Sequence, residues 1–79
     1  MSPEQCRAAR GWLVWSQQKL ATKAKVGLST VKDYERGERT PIANNLDAIR
    51  RALEDAGMTI TADSVSGPIA NKQSLTTSG

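Results

Sequence analysis

Apolar residues recur with the spacing of an α-helix along most of this 79-residue chain, and the recurrences predict four helices. The first spans residues 3 to about 14, the second about 17–24 and the third about 28–36, and the fourth is the clearest. The apolar stripe of the first helix consists of Cys6, Ala9 and Leu13, and that of the second consists of Leu20, Ala21 and Ala24. The stripe of the third consists of Val31 and Tyr34, and that of the fourth consists of Leu46, Ile49, Leu53 and Ala56. The pattern predicts one small, mainly helical domain.

Residues at the ends of these stripes are typical of helix caps. Ser2-Pro3-Glu4-Gln5 combines an N-cap serine, a proline in the first helical position and the glutamine of a capping box. Ser16 suits the N-cap of the second helix. Gly37 and Gly57 are expected to end the third and fourth helices.

The chain changes character after Gly57. Met58-Thr59-Ile60-Thr61 alternates apolar and polar residues, which predicts a short strand. From Ala62 onward, Ser, Thr, Gly and Asn dominate and large apolar residues are few. We therefore expect a domain of residues 1–61 and a flexible tail of residues 62–79.

The second and third predicted helices are joined by Lys25-Val26-Gly27, which is long enough only for a turn. Two short helices with this spacing are the sequence form of a helix-turn-helix, whose second helix enters the DNA major groove. The residues expected to meet DNA at the N-terminal end of that helix are Gly27, Leu28, Ser29, Thr30, Lys32 and Asp33. Asp33 can accept a hydrogen bond from cytosine, or it can orient Lys32 or a neighbouring arginine.

Positive charge is concentrated on the same part of the chain. Residues 7–39 carry eight Lys or Arg against three acidic residues, a balance of +5, whereas residues 40–79 have a balance of −1. A solvated basic face and a DNA-binding face both fit this distribution. Candidate phosphate contacts are Gln17, at the start of the second helix, with Arg36, Arg39 and either Lys19 or Lys23.

Composition argues against several other classes of protein. The chain has no His and a single Cys, and we find no metal-ligand cluster or phosphate-binding glycine loop, so we expect no enzyme activity, metal or cofactor. With one Cys no intramolecular disulfide forms. No signal peptide or membrane-spanning run is apparent, which favours a cytoplasmic protein without membrane contacts.

Residues 7–56 resemble the Cro/C1-type (XRE-family) helix-turn-helix domain of phage repressors and small bacterial regulators. The matching segments are Trp15-Ser-Gln-Gln-Lys-Leu-Ala21, residues 26–34, Tyr34-Glu-Arg-Gly-Glu-Arg-Thr-Pro41 and Leu46-Asp-Ala-Ile-Arg-Arg-Ala-Leu53. The resemblance implies an all-α, lambda-repressor-like bundle of four to five helices, here with a short C-terminal β-strand. It also implies a structural ion pair between Arg10 and Glu35.

Two positions in the turn depart from the family pattern. Lys25 stands where the family usually has Gly, so it is expected to adopt a left-handed backbone. Gly27 stands where Ser, Asn or Thr usually caps the recognition helix. The departures leave open whether Leu28 or Ser29 is the first residue to read a base.

The resemblance implies a sequence-specific DNA-binding transcription regulator, an autorepressor that binds a two-fold symmetric operator in double-stranded DNA as a homodimer. Dimer contacts are expected at the end of the fourth helix, at Met58, Thr59, Ile60 and Thr61, or at both. The alternative is an antitoxin or antiactivator that acts mainly by binding another protein through the C-terminal segment.

Three further side chains have two interpretations each. Trp12 and Trp15 can stack on bases, but residues of this size near the end of a first helix more often serve packing or an interface. Cys6 can sense redox conditions, but its place on an apolar stripe favours a small buried hydrophobe.

Overall fold

The computed structural model describes residues 1–68, which form four helices and one antiparallel hairpin. The helices are α1 (Pro3–Leu13), α2 (Gln17–Ala24), α3 (Leu28–Glu35) and α4 (Ala43–Asp55), and the strands are β1 (Thr59–Ile60) and β2 (Val65–Ser66). The four helices and the first strand are confirmed, and the predicted helix boundaries agree with the observed ones to within about a residue. No helix within residues 1–68 has the length and apolar character needed to span a membrane.

Local capping explains why the first two helices begin where they do. The Ser2 Oγ accepts a hydrogen bond from the Gln5 N–H (3.1 Å), and the Gln5 Oε1 accepts one from the Ser2 N–H (2.8 Å). This reciprocal pair is the predicted capping box. Ser16 caps α2 by accepting a hydrogen bond from the Lys19 N–H at 3.0 Å.

Glycines end the third and fourth helices, as the sequence indicates. Gly37 follows α3 with φ of 73°, and Gly57 follows α4 with φ of 102°. Both values lie where residues with a Cβ are strained. A Cβ on Gly57 would also lie 2.9 Å from Cγ of Pro68, so the turn after α4 has no room for a side chain.

The core is formed where α2 packs against α3 and α4. Its largest fully buried side chains are Leu20, Ile49, Leu53, Val31 and Cys6. They come from all four helices, so burying them fixes α3 against the rest of the domain. Each large aliphatic side chain contributes about 1.5–3 kcal/mol when fully buried. Helix α3 is therefore held on a rigid support.

The hairpin extends the fold beyond the predicted domain boundary at residue 61. Thr59 pairs with Ser66 and Ile60 pairs with Val65. The Gln5 Nε2 donates hydrogen bonds to the carbonyl oxygens of Thr61 (2.6 Å) and Ser64 (3.0 Å), which ties the turn to α1. The expectation of a flexible tail is therefore wrong for residues 62–68. Its remainder, residues 69–79, lies outside the described residues.

Burial also changes the predicted dimer surface. Met58 and Ile60 belong to the hydrophobic core of the monomer, whereas Thr59 and Thr61 are exposed. Alternation along the strand directs its apolar residues inward. Met58 and Ile60 thus belong to the core of the monomer, and of the four residues predicted for dimer contacts Thr59 and Thr61 are the exposed ones.

Candidate nucleic-acid interface

The turn between α2 and α3 is closed by a left-handed lysine. Lys25 has φ of 59° and ψ of 43°. The Lys25 N–H donates to the Thr22 carbonyl (3.3 Å) and the Val26 N–H donates to the Ala21 carbonyl (3.0 Å). These bonds satisfy carbonyls that the end of α2 would otherwise leave without partners. The left-handed conformation expected of Lys25 is present.

Helix α3 begins at Leu28, with Gly27 as its N-cap. Gly27 has φ of −69°, an ordinary value, and no side-chain hydrogen bond caps the helix. Leu28 is half-buried and packs against the core. Ser29, one residue later, is exposed. Of the two residues considered as first base reader, Ser29 is the one that points away from the core.

One face of α3 and the following loop form a concave surface around a cavity of about 260 Å³. We call it the groove surface. It is lined by Ser29, Thr30, Asp33, Arg39, Thr40, Pro41, Ile42 and Asn45. The structure thus brings together four of the residues predicted to meet DNA: Ser29, Thr30, Asp33 and Arg39. Gly27 and Lys32 are exposed nearby but do not line this surface.

The other half of the groove surface was not predicted from the sequence. Thr40, Pro41 and Ile42 lie in the loop before α4, and Asn45 lies in its first turn. The only signal in the sequence is the position of Pro41 just before a predicted helix. That signal does not show that the loop and the start of α4 lie beside α3, because the contact is tertiary.

Charges near the groove surface are partly paired. Arg36 Nη2 lies 3.2 Å from Asp33 Oδ1, and Arg36 Nε lies 3.6 Å from Glu38 Oε1. Of the alternatives for Asp33, the structure shows the contact with a neighbouring arginine. The three side chains are substantially exposed, so each pairing contributes little to stability and is easily exchanged for a phosphate.

Behind this surface, Glu35 accepts hydrogen bonds from side chains of two other helices. Arg10 binds both of its carboxylate oxygens, with Nη2 at 2.8 Å from Oε1 and Nε at 2.9 Å from Oε2. Gln17 Nε2 donates to Oε1 at 3.0 Å, and Cys6 Sγ donates to Oε2 at 3.3 Å. The ion pair expected between Arg10 and Glu35 is therefore present, and Gln17 donates a hydrogen bond to the same carboxylate.

The environment of this cluster shifts three pKa values. Burial acts to raise the pKa of Glu35, but the hydrogen bonds from Arg10, Gln17 and Cys6 together outweigh it and hold that pKa below its ordinary value. The hydrogen bond with Glu35 raises the pKa of Arg10. Burial, followed by the nearby Glu35 charge, raises the pKa of the Cys6 thiol. Cys6 is thus a buried thiol, as its position on the apolar stripe indicates.

The contact with Glu35 fixes Gln17 at the start of α2. A glutamine amide has two N–H donors, and the bond to Glu35 uses one of them. The second N–H is available for a phosphate at the helix N-terminus. Arg7 reinforces the arrangement, since its Nη1 donates to the Glu35 carbonyl.

The two tryptophans have different surroundings. Trp15 is half-buried against the core, and Lys19 Nζ lies 6.0 Å from the centroid of its ring. Trp12 is 54% exposed, and its ring covers Gly67 so closely that a Cβ there would overlap it. Trp15 therefore serves packing, whereas only one side of the Trp12 ring packs, and it packs against the hairpin.

Comparison with known proteins agrees with this geometry. The family model described as Helix-turn-helix matches residues 7–54, which is more than half of the chain and includes α2, α3 and the turn between them. The comparison with curated proteins gives no match. Since the matched family is the XRE or Cro/C1 type, the chain belongs to the Cro/C1-type helix-turn-helix family of DNA-binding transcription regulators.

Proposed function

We propose that the protein is a repressor that binds a two-fold symmetric operator as a homodimer and regulates its own promoter. The observation that carries this proposal is the groove surface, where the exposed Ser29 and the partly exposed Thr30 and Asp33 of the recognition helix lie beside Arg39. One recognition helix reads only a few base pairs, so useful specificity requires a second copy on an adjacent half-site.

Each side chain has a role in this proposal that follows from its position. Ser29 and Thr30 hydrogen-bond to base edges, and Asp33 accepts from a cytosine amino group once Arg36 turns to a phosphate. Leu28 and Gly27 allow close approach at the helix start, and Lys32 lies one turn further along the same exposed side. Arg36, Arg39 and Gln17 bind phosphates and so fix the orientation of the domain without reading sequence.

In this proposal, the dimer contacts are made by exposed residues at the C-terminal end of α4 and on the hairpin that follows it, including Thr59 and Thr61. Repression then follows from occupancy, because a dimer on a promoter excludes polymerase. A regulator of this kind responds to its own concentration through the monomer–dimer equilibrium.

Selection of bound sites from random DNA, with the stoichiometry of the complex measured, tests the proposal. We expect a two-fold symmetric consensus that holds two copies. Ser29→Ala should reduce the preference for that consensus over random DNA, because it removes a base contact. Arg39→Gln should weaken binding to both DNAs similarly, because it removes a phosphate contact.

Thr22→Ala is a matched control, since Thr22 carries an exposed hydroxyl on α2 and lies on neither the groove surface nor the proposed dimer surface. It should bind both DNAs as the parent does. An asymmetric consensus with one bound copy would contradict the homodimer. Unchanged preference in Ser29→Ala and unchanged affinity in Arg39→Gln would contradict the proposed recognition surface.

A further inference from the structure

Ile42 is an exposed aliphatic side chain within an otherwise mainly polar surface. Only three large hydrophobic residues in the described part of the chain are exposed: Trp12, Val14 and Ile42. Ile42 is 70% exposed and is the one of the three that lines the groove surface. Covering this side chain with an apolar partner would therefore be favourable.

The backbone holds Ile42 in a fixed place. It is the N-cap of α4, with φ of −60° and ψ of 156°. Its carbonyl accepts hydrogen bonds from the N–H groups of Asn45 (3.0 Å) and Leu46 (3.0 Å). Helix α4 is anchored in the core by Ile49 and Leu53, both fully buried. A side chain on so rigid a support loses little conformational freedom when it meets a partner.

The neighbours of Ile42 indicate what that partner is. Ser29, Thr30 and Asp33 line the same surface and belong to α3, the helix that enters the major groove in this class of motif. Among the base edges in the major groove, the C5-methyl group of thymine is the apolar one, and aliphatic side chains bind it by contact. An aliphatic side chain beside polar base readers therefore matches a thymine next to the bases that they read.

We propose that Ile42 contacts the C5-methyl group of a thymine in the operator and so contributes to its sequence specificity. The inference rests on the proposed function, because it requires DNA in the groove surface. Base reading then involves Ile42, the N-cap residue of α4, in addition to residues of the recognition helix. The thymine lies in each half-site, beside the bases contacted by Ser29 and Thr30.

The test removes the methyl group from the DNA and the side chain from the protein, separately and together. Each thymine of the selected operator is replaced in turn by deoxyuridine, which differs from thymidine only by that methyl. For the parent protein, we expect one position per half-site at which the replacement weakens binding about fourfold, the effect of one buried methyl-sized group. With Ile42→Ala, the same replacement should have no effect, because the contact is already lost.

Two further variants make the test specific. Ile42→Val keeps a β-branched aliphatic side chain and should retain sensitivity to the thymine methyl. Val14→Ala is the matched control, since Val14 is an aliphatic residue with 90% exposure that does not line the groove surface. It should bind thymine and deoxyuridine operators with the same ratio as the parent. Because Ile42 is exposed, Ile42→Ala should fold normally, and thermal unfolding of the free protein checks this.

The outcomes separate this inference from the proposed function. If Ile42→Ala weakens binding equally to thymine operator, deoxyuridine operator and random DNA, Ile42 packs on the sugar–phosphate backbone and the inference is overturned. If Ile42→Ala binds all three DNAs as the parent does, Ile42 makes no DNA contact, and the inference is overturned while the proposed function stands. If the parent selects no preferred site, the proposed function fails and the inference fails with it.

Discussion

Lys25 and Val14 have left-handed backbones although neither is glycine. Their φ values are 59° and 56°, and each is the C-cap of a helix, α2 and α1 respectively. A left-handed conformation costs a residue with a Cβ roughly 1–2 kcal/mol. At both positions the backbone N–H donates to carbonyls in the last turn of the helix, and these hydrogen bonds offset part of that cost. The turn of the helix-turn-helix therefore stores strain that a glycine would release.

We expect Lys25→Gly to raise the free energy of unfolding by about 1 kcal/mol, because glycine adopts this backbone without a steric penalty. Lys23→Gly is the control, since Lys23 is an exposed lysine within α2 and loses the same charge. It should lower the free energy of unfolding by about 1 kcal/mol, the helix propensity cost of glycine. Urea denaturation of both variants measures the difference, and a loss of stability in Lys25→Gly would contradict the strain.

At the scale of elements, Glu35 joins three helices through one carboxylate. It belongs to α3, its partners Cys6 and Arg10 belong to α1, and Gln17 begins α2. The Glu35 side chain is 2% exposed and that of Arg10 is 21% exposed, so neither charge is well solvated without the other. The ion pair and the Gln17 hydrogen bond together fix the relative positions of α1, α2 and α3.

The lowered pKa of Glu35 makes the stability of the domain depend on pH. A carboxyl whose pKa is lower in the folded state stabilises the fold above its unfolded pKa of about 4.3. That contribution is lost as the pH falls through the lowered folded pKa. We therefore expect the free energy of unfolding to fall below about pH 4.3, where part of the fall comes from Glu35.

Glu35→Gln should remove that part of the pH dependence and lower the free energy of unfolding near pH 7 by about 3 kcal/mol, because it leaves Arg10 without an anionic partner. Glu38→Gln is the control, since Glu38 is exposed and its contact with Arg36 is long at 3.6 Å. Its denaturation curves should follow those of the parent at each pH. If the free energy of unfolding of Glu35→Gln varies with pH as that of the parent does over about pH 2–7, Glu35 does not cause this pH dependence.

At the scale of the whole molecule, the uneven charge distribution gives the domain one basic half. The balance of +5 lies on residues 7–39, which include α2, α3 and Arg39. Binding of such a surface to DNA releases counterions in proportion to the phosphates that it contacts. The affinity for DNA should therefore fall steeply as salt concentration rises.

The number of phosphate contacts can be counted from that salt dependence. The slope of log affinity against log salt concentration should decrease in magnitude by about 1 in Arg39→Gln, which loses one contact. Arg51→Gln loses the same charge from an exposed position on α4 that does not line the groove surface, so its slope should equal that of the parent. Equal changes in both variants would mean that net charge alone governs binding.

Much of the fold could be predicted from the sequence because its signals are local. Ser2, Gln5 and Ser16 cap helices through residues three positions away, and Gly37 and Gly57 end helices at their own positions. The left-handed backbone of Lys25 was expected from the resemblance, because the family usually has Gly at this position. On the site, Ser29, Thr30 and Asp33 were predicted from spacing and Arg39 from its charge, and the four lie on one surface.

The features that the sequence did not show depend on contacts between distant residues. The hairpin is held by Gln5, which lies 56 residues before Thr61, and its second strand, Val65–Ser66, is too short to show a recognisable alternation. Ile42 gives no signal by itself, since its role depends on how α4 is placed beside α3. A pattern read along the chain cannot show which surfaces tertiary packing brings together.

The contact between Trp12 and Gly67 places a spectroscopic probe at the junction of α1 and the hairpin. Indole emission shifts with the polarity around the ring, and Trp12 and Trp15 are the two tryptophans of the chain. Replacing Trp15 with phenylalanine would leave one emitter, whose ring rests on the hairpin. Its wavelength would then report, without any label, whether the hairpin stays docked on α1 when the protein binds DNA or a second copy.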